Sequence, residues 1–478
     1  MTKNGILKSS FFKASFLIVL SQVIYSALGF IFLPIFLNEL SIEEYGLVAY
    51  RFNVAQLLAT TLILGFDHSI ERSSIIKNFS FFYSASLFMI TSFVVISFGL
   101  GIIFFLLKIS FINILDIPSI TLIFIFLVLG VMFLRFLAAF NGGHIKGIFI
   151  ILSVLIFSVF FLNSLLNESI TIKDRVNWLL IPSYSVITAS VFFAINNFFS
   201  KTIHQKSTSN FGDIGKDFIS IFRDTKDFIP YILVSTILLN LDKIVIEKFW
   251  GTAEVGIYDV SMKLASISLV LFTGFKMLLP KMLSNFNKNK ISLWHNDWIL
   301  ASTLVYWILC LFLIFIIHFF FSSIPNLKAL IYLANAIVFF SLLNMYGFSA
   351  RKVEANPLAF SRIILLCFVF SIASIFLSGY VLSKNGLNFH GVYLVVIFCS
   401  FLMYVIHRYS SLKKPESKVE ISSIDIICFT PLFLNIFFLI SFDEYFSLYN
   451  NSLIFNLLFT IIMSIAPIFF LSKRLRNE

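Results

Sequence analysis

Apolar runs of about 20 residues recur along this chain, and each is long enough to cross a lipid bilayer as a helix. The chain has 478 residues, of which 59% are hydrophobic and 12% are charged, whereas soluble domains carry roughly 25% charged residues. This composition excludes an ordinary soluble enzyme, and it also excludes a disordered chain, which would have low hydrophobicity. The sequence therefore predicts an all-α integral membrane protein with about fourteen transmembrane helices.

Two longer polar stretches, residues 201–227 and 408–420, interrupt the series of predicted spans. The first divides the spans into two groups of six, and the second separates off the last two spans. The predicted organisation is a six-helix bundle over 1–200, a cytoplasmic linker over 201–227, a second six-helix bundle over 228–407, and a linker with two additional helices over 408–478.

The positions of the basic residues predict that both termini lie in the cytoplasm. With that orientation, 26 of the 35 Lys and Arg residues fall in cytoplasmic segments, six in outer loops and three within spans. Cytoplasmic loops of membrane proteins carry such an excess of Lys and Arg. The net charge of +11 therefore indicates membrane topology, and we expect no nucleic-acid partner.

The starts of spans two and eight resemble each other. Residues 44–47 read EYGL and residues 254–257 read EVGI, at an offset of 210. A second pair, LILGFD at 62–67 and LFTGFK at 271–276, has an offset of 209. These pairs indicate a duplicated bundle whose copies share one orientation, which is the plan of many alternating-access transporters.

Three basic residues lie inside predicted spans: Arg51 on span two, Lys243 on span seven and Lys263 on span eight. Each is roughly 9–12 Å from the predicted outer end of its span, at a rise of about 1.5 Å per residue. Charged groups at this depth usually face a cavity, so we predict that the three cations bind an anion. Asp242 and Asp259 are predicted ion-coupling or pairing residues. The alternative is that Asp242/Lys243 and Asp259/Lys263 form structural ion pairs.

Further polar residues are assigned to the same cavity or to its inner end. Asn53, Gln56 and Asn240 are predicted to contact substrate, or else to form helix–helix hydrogen bonds. Four charged residues are predicted to form an inner gate, with a polar helix end among lipid headgroups as the alternative: Asp67, Glu71, Arg72 and Lys276.

Motifs for catalysis and for metal or nucleotide binding are missing from the sequence. It has no P-loop, no HExxH and no GxSxG, patterns that would indicate nucleotide hydrolysis, zinc chemistry or a serine nucleophile. We therefore predict no enzyme activity, no cofactor and no metal site. The four cysteines lie in apolar runs and are predicted to be free, buried residues: Cys310, Cys367, Cys399 and Cys428.

Three segments resemble the polysaccharide flippases of the O-antigen type, within the multidrug/oligosaccharidyl-lipid/polysaccharide exporter superfamily. They read FLPIFLNELSIEEYGLVAY at 32–50, LILGFDHSIER at 62–72 and LNLDKIVIEKFWGTAEVGIYDVSMKLASI at 239–267. The resemblance covers both halves in register. It implies a basic central cavity between two bundles, with Arg51, Lys243 and Lys263 on the stretches that face it.

The resemblance also implies a substrate and partners. Members of this family move undecaprenyl-diphosphate-linked oligosaccharides from the cytoplasmic to the periplasmic leaflet of the bacterial inner membrane, by alternating access. The expected partners are that lipid-linked oligosaccharide, H+ or Na+, membrane lipid, and polysaccharide polymerase and chain-length proteins. Two alternatives stay open from the sequence: a cation-coupled exporter resembling the multidrug extruders, and an O-antigen polymerase or ligase.

Overall fold

Helices account for all the regular secondary structure in the described part of a computed structural model of the chain. The structure describes residues 33, 37, 41–63, 219, 223, 240–267, 269, 279, 288–321, 324, 326–353, 358–410, 428–436, 458, 460–462 and 465. This helical content agrees with the all-α class predicted from the sequence.

Six helices have defined bounds, and a helical stretch over residues 240–250 precedes the second of them. They are α1 (Ile42–Ile63), α2 (Thr252–Ala265), α3 (Lys288–Phe320), α4 (Leu327–Val353), α5 (Leu358–Lys384) and α6 (His390–Ser410).

Three of these helices contain segments long and apolar enough to cross a membrane: His295–Phe320, Leu327–Ser349 and His390–Arg408. With these crossings the chain is a multi-pass membrane protein. Predicted spans three to six and the linker at 201–227 fall almost entirely outside the described residues. The count of fourteen helices and the division into bundles therefore stay predictions.

A capping box starts α1. The Ser41 hydroxyl accepts a hydrogen bond from the Glu44 amide at 3.2 Å, and the Glu44 carboxylate accepts one from the Ser41 amide at 3.0 Å. This reciprocal pair satisfies amides that a helix start leaves without partners inside the helix. It fixes where α1 begins, just before the repeated EYGL segment is reached at Glu44.

Gly251 separates the helical stretch 240–250 from α2. Its φ of 105° lies in a region that a residue with a Cβ rarely adopts. Its amide still donates to the carbonyl of Glu247 at 3.1 Å, so the first helix closes at the same residue at which the chain turns. The sharp break brings the side chains of 240–250 beside those of α2.

The described residues divide into two compact units. One includes those within 51–240 and 357–365, and the other includes those within 30–50, 241–356 and 366–478. In the second unit α4 is the central helix, packed against α2, α3 and α6. Its side chains are buried almost throughout, including Tyr332, Phe340 and Tyr346.

Large apolar side chains lie exposed on the outer helices of the second unit, including Phe312, Phe319, Val369, Leu377 and Phe398. In water such surfaces would favour aggregation or a protein partner. In a membrane-spanning chain, lipid acyl chains cover them.

Candidate functional site

The candidate site lies where the helical stretch 240–250 and α2 meet the first turns of α1. Three parts of the second compact unit form it: α1 up to residue 50, the helical stretch from residue 241 onward, and α2. They contribute four of the residues that the sequence assigns to the site: Asp242, Lys243, Asp259 and Lys263.

Asp259 is the centre of the site. Its carboxylate pairs with the ammonium of Lys243 at 2.6 Å through one oxygen and with that of Lys263 at 2.9 Å through the other. The Asp259 side chain is 4% exposed, so its carboxylate is shielded from water and its negative charge is stabilised by these two cations. A buried carboxylate without such partners would be strongly unfavourable.

Tyr45 of α1 joins this cluster, although the sequence pattern did not assign it to the site. Its hydroxyl donates to Asp259 at 2.8 Å and accepts from the Lys263 ammonium at 2.8 Å. The same ammonium lies 5.0 Å from the centre of the Tyr45 ring, within range of a cation–π interaction. The signal for Tyr45 was its place in the repeated EYGL segment, but that pattern shows nothing of a hydroxyl's partners.

Asp242 has different neighbours from those of the ion-pair alternative. Its carboxylate accepts hydrogen bonds from the Tyr258 hydroxyl and, at 2.8 Å, from the Lys243 amide. Among the described residues, the Lys243 ammonium pairs with Asp259 and not with Asp242. The Asp242/Lys243 ion pair, which the sequence left open as an alternative, is therefore not formed. Consecutive residues on a helix point in different directions, so Lys243 extends to the facing helix instead.

Tyr258 and Tyr393 extend the network from Asp242 towards α6. Their rings are 4.5 Å apart, and the Tyr393 hydroxyl bonds to Ser261, which also donates to the Tyr258 carbonyl at 2.7 Å. Both tyrosines are fully buried. Asp242 thus accepts from one hydroxyl and one amide, whereas Asp259 accepts from two ammonium groups and a hydroxyl.

Two ammonium groups share the Asp259 carboxylate, and a second carboxylate, Asp242, lies next to Lys243 in the chain. The two lysines also differ in exposure: the Lys263 side chain is 53% exposed and that of Lys243 is 15% exposed. Lys263 is therefore the more accessible of the two cations. The Asp259/Lys263 pair of the structural alternative forms, and anion binding by the lysines stays a prediction.

Two glycines let α1 and α2 approach until their backbones touch. A Cβ on Gly46 would overlap the Thr252 carbonyl oxygen and lie 2.9 Å from the Gly256 nitrogen, and a Cβ on Gly256 would overlap the Ile42 carbonyl oxygen. Gly46 and Gly256 are the glycines of the two repeated segments. Small residues at such positions allow close helix packing in membranes.

The remaining predicted residues are only partly described. Asn53 is buried, and its side-chain amide donates to the Asn240 carbonyl at 2.9 Å, which is a helix–helix hydrogen bond. The side chains of Arg51 and Gln56 lie outside the described residues, as do the predicted inner-gate residues Asp67, Glu71, Arg72 and Lys276.

No metal-binding arrangement of three or more His, Cys, Asp or Glu residues occurs within the described ranges. The described site consists of a buried carboxylate held by two cations, of which Lys263 is half exposed.

A family profile described as polysaccharide biosynthesis protein matches residues 11–286, which is more than half of the chain. The match includes the helices that carry the site, α1, the stretch 240–250 and α2. No curated protein sequence matches the chain.

Solved structures with a similar fold are transporters. A multidrug resistance MATE family transporter of the MOP superfamily, in an outward-facing conformation, is 14% identical with a TM-score of 0.56, covering 84% of this chain and 94% of its own. A MOP superfamily transporter from Pyrococcus furiosus, described as having a binding pocket of reverse polarity, is 14% identical with a TM-score of 0.55, covering 84% and 94%. A Vibrio cholerae MATE transporter is 13% identical with a TM-score of 0.53, covering 87% and 99%. At these identities the likeness shows the fold.

Proposed function

Since the chain belongs to the polysaccharide biosynthesis protein family and has the fold of the MATE transporters, we propose that it is a lipid-linked oligosaccharide flippase. It moves undecaprenyl-diphosphate-linked O-antigen repeat units from the cytoplasmic to the periplasmic leaflet of the bacterial inner membrane. Transport proceeds by alternating access and is coupled to H+ or Na+. The polysaccharide polymerase and chain-length proteins then act on the same lipid-linked product.

The observation that carries this proposal is the accessible ammonium of Lys263 beside Asp259. Lys243 and Lys263 share that single carboxylate, and the Lys263 side chain is half exposed. An ammonium donates up to three hydrogen bonds, so Lys263 can turn its donors to phosphate oxygens while Lys243 keeps the Asp259 carboxylate paired. The sequence also assigns Arg51, Asn53, Gln56 and Asn240 to substrate binding, and that assignment stays part of the proposal, because the Arg51 side chain is a forked donor that suits phosphate.

Ion coupling is assigned to Asp242 before Asp259. The Asp259 carboxylate is occupied by two ammonium groups, whereas Asp242 is held by the Tyr258 hydroxyl and a backbone amide. A carboxylate held by neutral donors can exchange a proton or a cation without first breaking an ion pair. The inner gate of Asp67, Glu71, Arg72 and Lys276 remains part of the proposed cycle.

The proposal predicts that Lys263→Gln reduces the polysaccharide that reaches the cell surface by about tenfold or more, since hydrogen bonds to charged groups contribute roughly 1.5–3 kcal/mol each. The measurement is surface O-antigen on gels in cells that lack the chromosomal copy, at equal abundance of the protein in the membrane. Lys263→Arg keeps the charge and should retain part of the export.

Lys248→Gln is the matched control for that experiment. Lys248 is exposed on the same helical stretch as Lys243 and lies against the Phe249 ring. Its replacement should leave export unchanged. Equal losses in the Lys248 and Lys263 variants, or full export by Lys263→Gln, would refute the anion-binding role.

A multidrug exporter is the second candidate, and the similar folds of the multidrug transporters support it. The reverse polarity described for the binding pocket of the Pyrococcus furiosus transporter is a precedent for a different cargo on this fold. Drug-resistance assays in the same cells separate the two functions. The flippase proposal expects unchanged drug sensitivity and lost O-antigen when the gene is deleted.

The proposed direction of transport depends on both termini being cytoplasmic. Reporter fusions after Lys206 and Lys414 should give cytoplasmic signals, and fusions within 38–44 and 443–450 should give periplasmic ones, because cytoplasmic segments collect basic residues. A periplasmic signal at Lys206 would reverse the orientation.

A further inference from the structure

We propose that Tyr45 is a positioning residue that holds α1 against α2, and that an anion binding to Lys263 releases this contact. The inference rests on the proposed anion-binding function of Lys263. It adds Tyr45 and a release step to that function. When Lys263 binds the anion, the contact between Tyr45 and α2 is weakened.

The contact begins at the two glycines. Gly46 and Gly256 bring the backbones of α1 and α2 together at Thr252 and Ile42. Gly46 and Gly256 have no side chains that could interlock, so the glycine contact allows close approach but offers no polar bond. One residue from Gly46, Tyr45 provides the polar bonds between the two helices.

Three polar interactions join Tyr45 to α2. Its hydroxyl donates to Asp259, it accepts from Lys263, and its ring faces the Lys263 ammonium. The Tyr45 side chain is buried, at 3% exposed, so its bond to Asp259 is made away from water and is stronger than an exposed one, whereas its bond with Lys263 is only partly buried. Two of the three interactions require the Lys263 ammonium.

An anion at Lys263 therefore competes with Tyr45. A diphosphate offers charged oxygens, which are better acceptors for an ammonium than a neutral hydroxyl. When the ammonium turns to the anion, Tyr45 keeps only its bond to Asp259. Lys243 continues to neutralise Asp259, so the carboxylate is not left unpaired, and the cost of releasing Lys263 is limited.

Ala49 can report the release. It lies four residues after Tyr45 on α1 and is 5% exposed, so a thiol at this position reacts with a water-soluble maleimide only when α1 separates from its surroundings. The four native cysteines are replaced by alanine, Ala49→Cys is added, and the full-length protein is purified in detergent. Labelling rates are then measured with and without inorganic pyrophosphate.

In this background Tyr45→Phe should increase the labelling rate about tenfold, because it removes both bonds of a hydroxyl shared with charged groups. Tyr50→Phe is the matched control. It removes a hydroxyl from the same helix, and within the described part of the chain that hydroxyl makes no hydrogen bond. Equal labelling rates in the Tyr45→Phe and Tyr50→Phe variants would overturn the proposal.

Pyrophosphate should increase the labelling rate when Tyr45 is present and have little further effect after Tyr45→Phe. A purely structural role for Tyr45 predicts no dependence on pyrophosphate. This comparison also tests the proposal if Tyr45→Phe does not accumulate, because the chain with Tyr45 must still respond. No response, or slower labelling with pyrophosphate, would overturn it.

The failure of the proposed function has a different signature. If Lys263→Gln exports O-antigen normally, the anion site is wrong, whatever the labelling shows. If Lys263→Gln abolishes export but Tyr45→Phe labels like the control, the anion site stands and the release step is wrong.

Discussion

Asp259→Asn is expected to destabilise the protein by about 3 kcal/mol or more, which is typical when one partner of a buried ion pair is removed. The change leaves the ammonium groups of Lys243 and Lys263 facing each other without the carboxylate that both contact. The loss is greatest for Lys243, because its side chain is only 15% exposed and its ammonium would be left largely buried without that carboxylate. Thermal unfolding in detergent and the amount of protein in the membrane measure the effect.

Glu254→Gln is the matched control, because it removes one carboxylate charge from the same helix. Glu254 lies in the first turn of α2 and is only half-buried. Its replacement should change the free energy of unfolding by less than about 1 kcal/mol. If both variants unfold at the same temperature, Asp259 is not the centre of the cluster.

Adding Lys243→Gln to Asp259→Asn sharpens the result. The double variant has the same total charge as the native cluster, with the positive charge on the exposed Lys263. We therefore expect it to be more stable than Asp259→Asn alone, a departure from additivity typical of residues in one network. An additive loss would mean that the lysines do not share the carboxylate.

Gly46→Ala is expected to be the most damaging single-methyl change in α1. The added Cβ would overlap the Thr252 carbonyl oxygen and lie 2.8 Å from its carbon. Both are backbone atoms, so α1 and α2 must move apart, and forced separation of packed elements costs roughly 1–3 kcal/mol or more. Lower membrane abundance and a lower unfolding temperature are the expected readings.

Gly391→Ala in α6 provides the comparison. Its added Cβ would meet the Leu382 side chain, with Cδ1 at 2.5 Å, and the end of a flexible side chain can rotate away. Alanine also favours a helix over glycine by about 1 kcal/mol. We expect Gly391→Ala to be close to neutral, and an equal loss in both variants would show that the α1–α2 approach is not special.

The sequence predicted the membrane class, the positions of several helices and the presence of Lys243 and Lys263 within helices, because each depends on the chain's own apolar pattern. It also identified the two segments, EYGL and EVGI, that meet in the structure. It did not identify that they meet, since an internal repeat shows similarity and not contact.

Partner choice within the site could not be predicted. From the sequence, the alternative to anion binding was that each lysine pairs with the carboxylate nearest along the chain. Asp259/Lys263 follows that rule, as residues one turn apart share a helix face. Lys243 does not, because its partner is decided by the break at Gly251, which turns α2 back against the stretch 240–250. Tyr45 was missed for the same reason: its partners are 214 and 218 residues away.

The enclosure of α4 has a consequence for how the protein is made. The Asn335 side chain bonds to Cys310 of α3, and the Asn344 side chain bonds to the Ser400 carbonyl of α6. During synthesis α3 precedes α4, whereas α6 emerges about 40 residues later, counting the length of α5 and its connections. The partner of Asn335 is therefore already present when α4 is synthesised, whereas the partner of Asn344 is not. Until α6 is synthesised, the Asn344 side chain of α4 lies in the membrane without its final partner. Packing of α4 can therefore be completed only after α6 has been made.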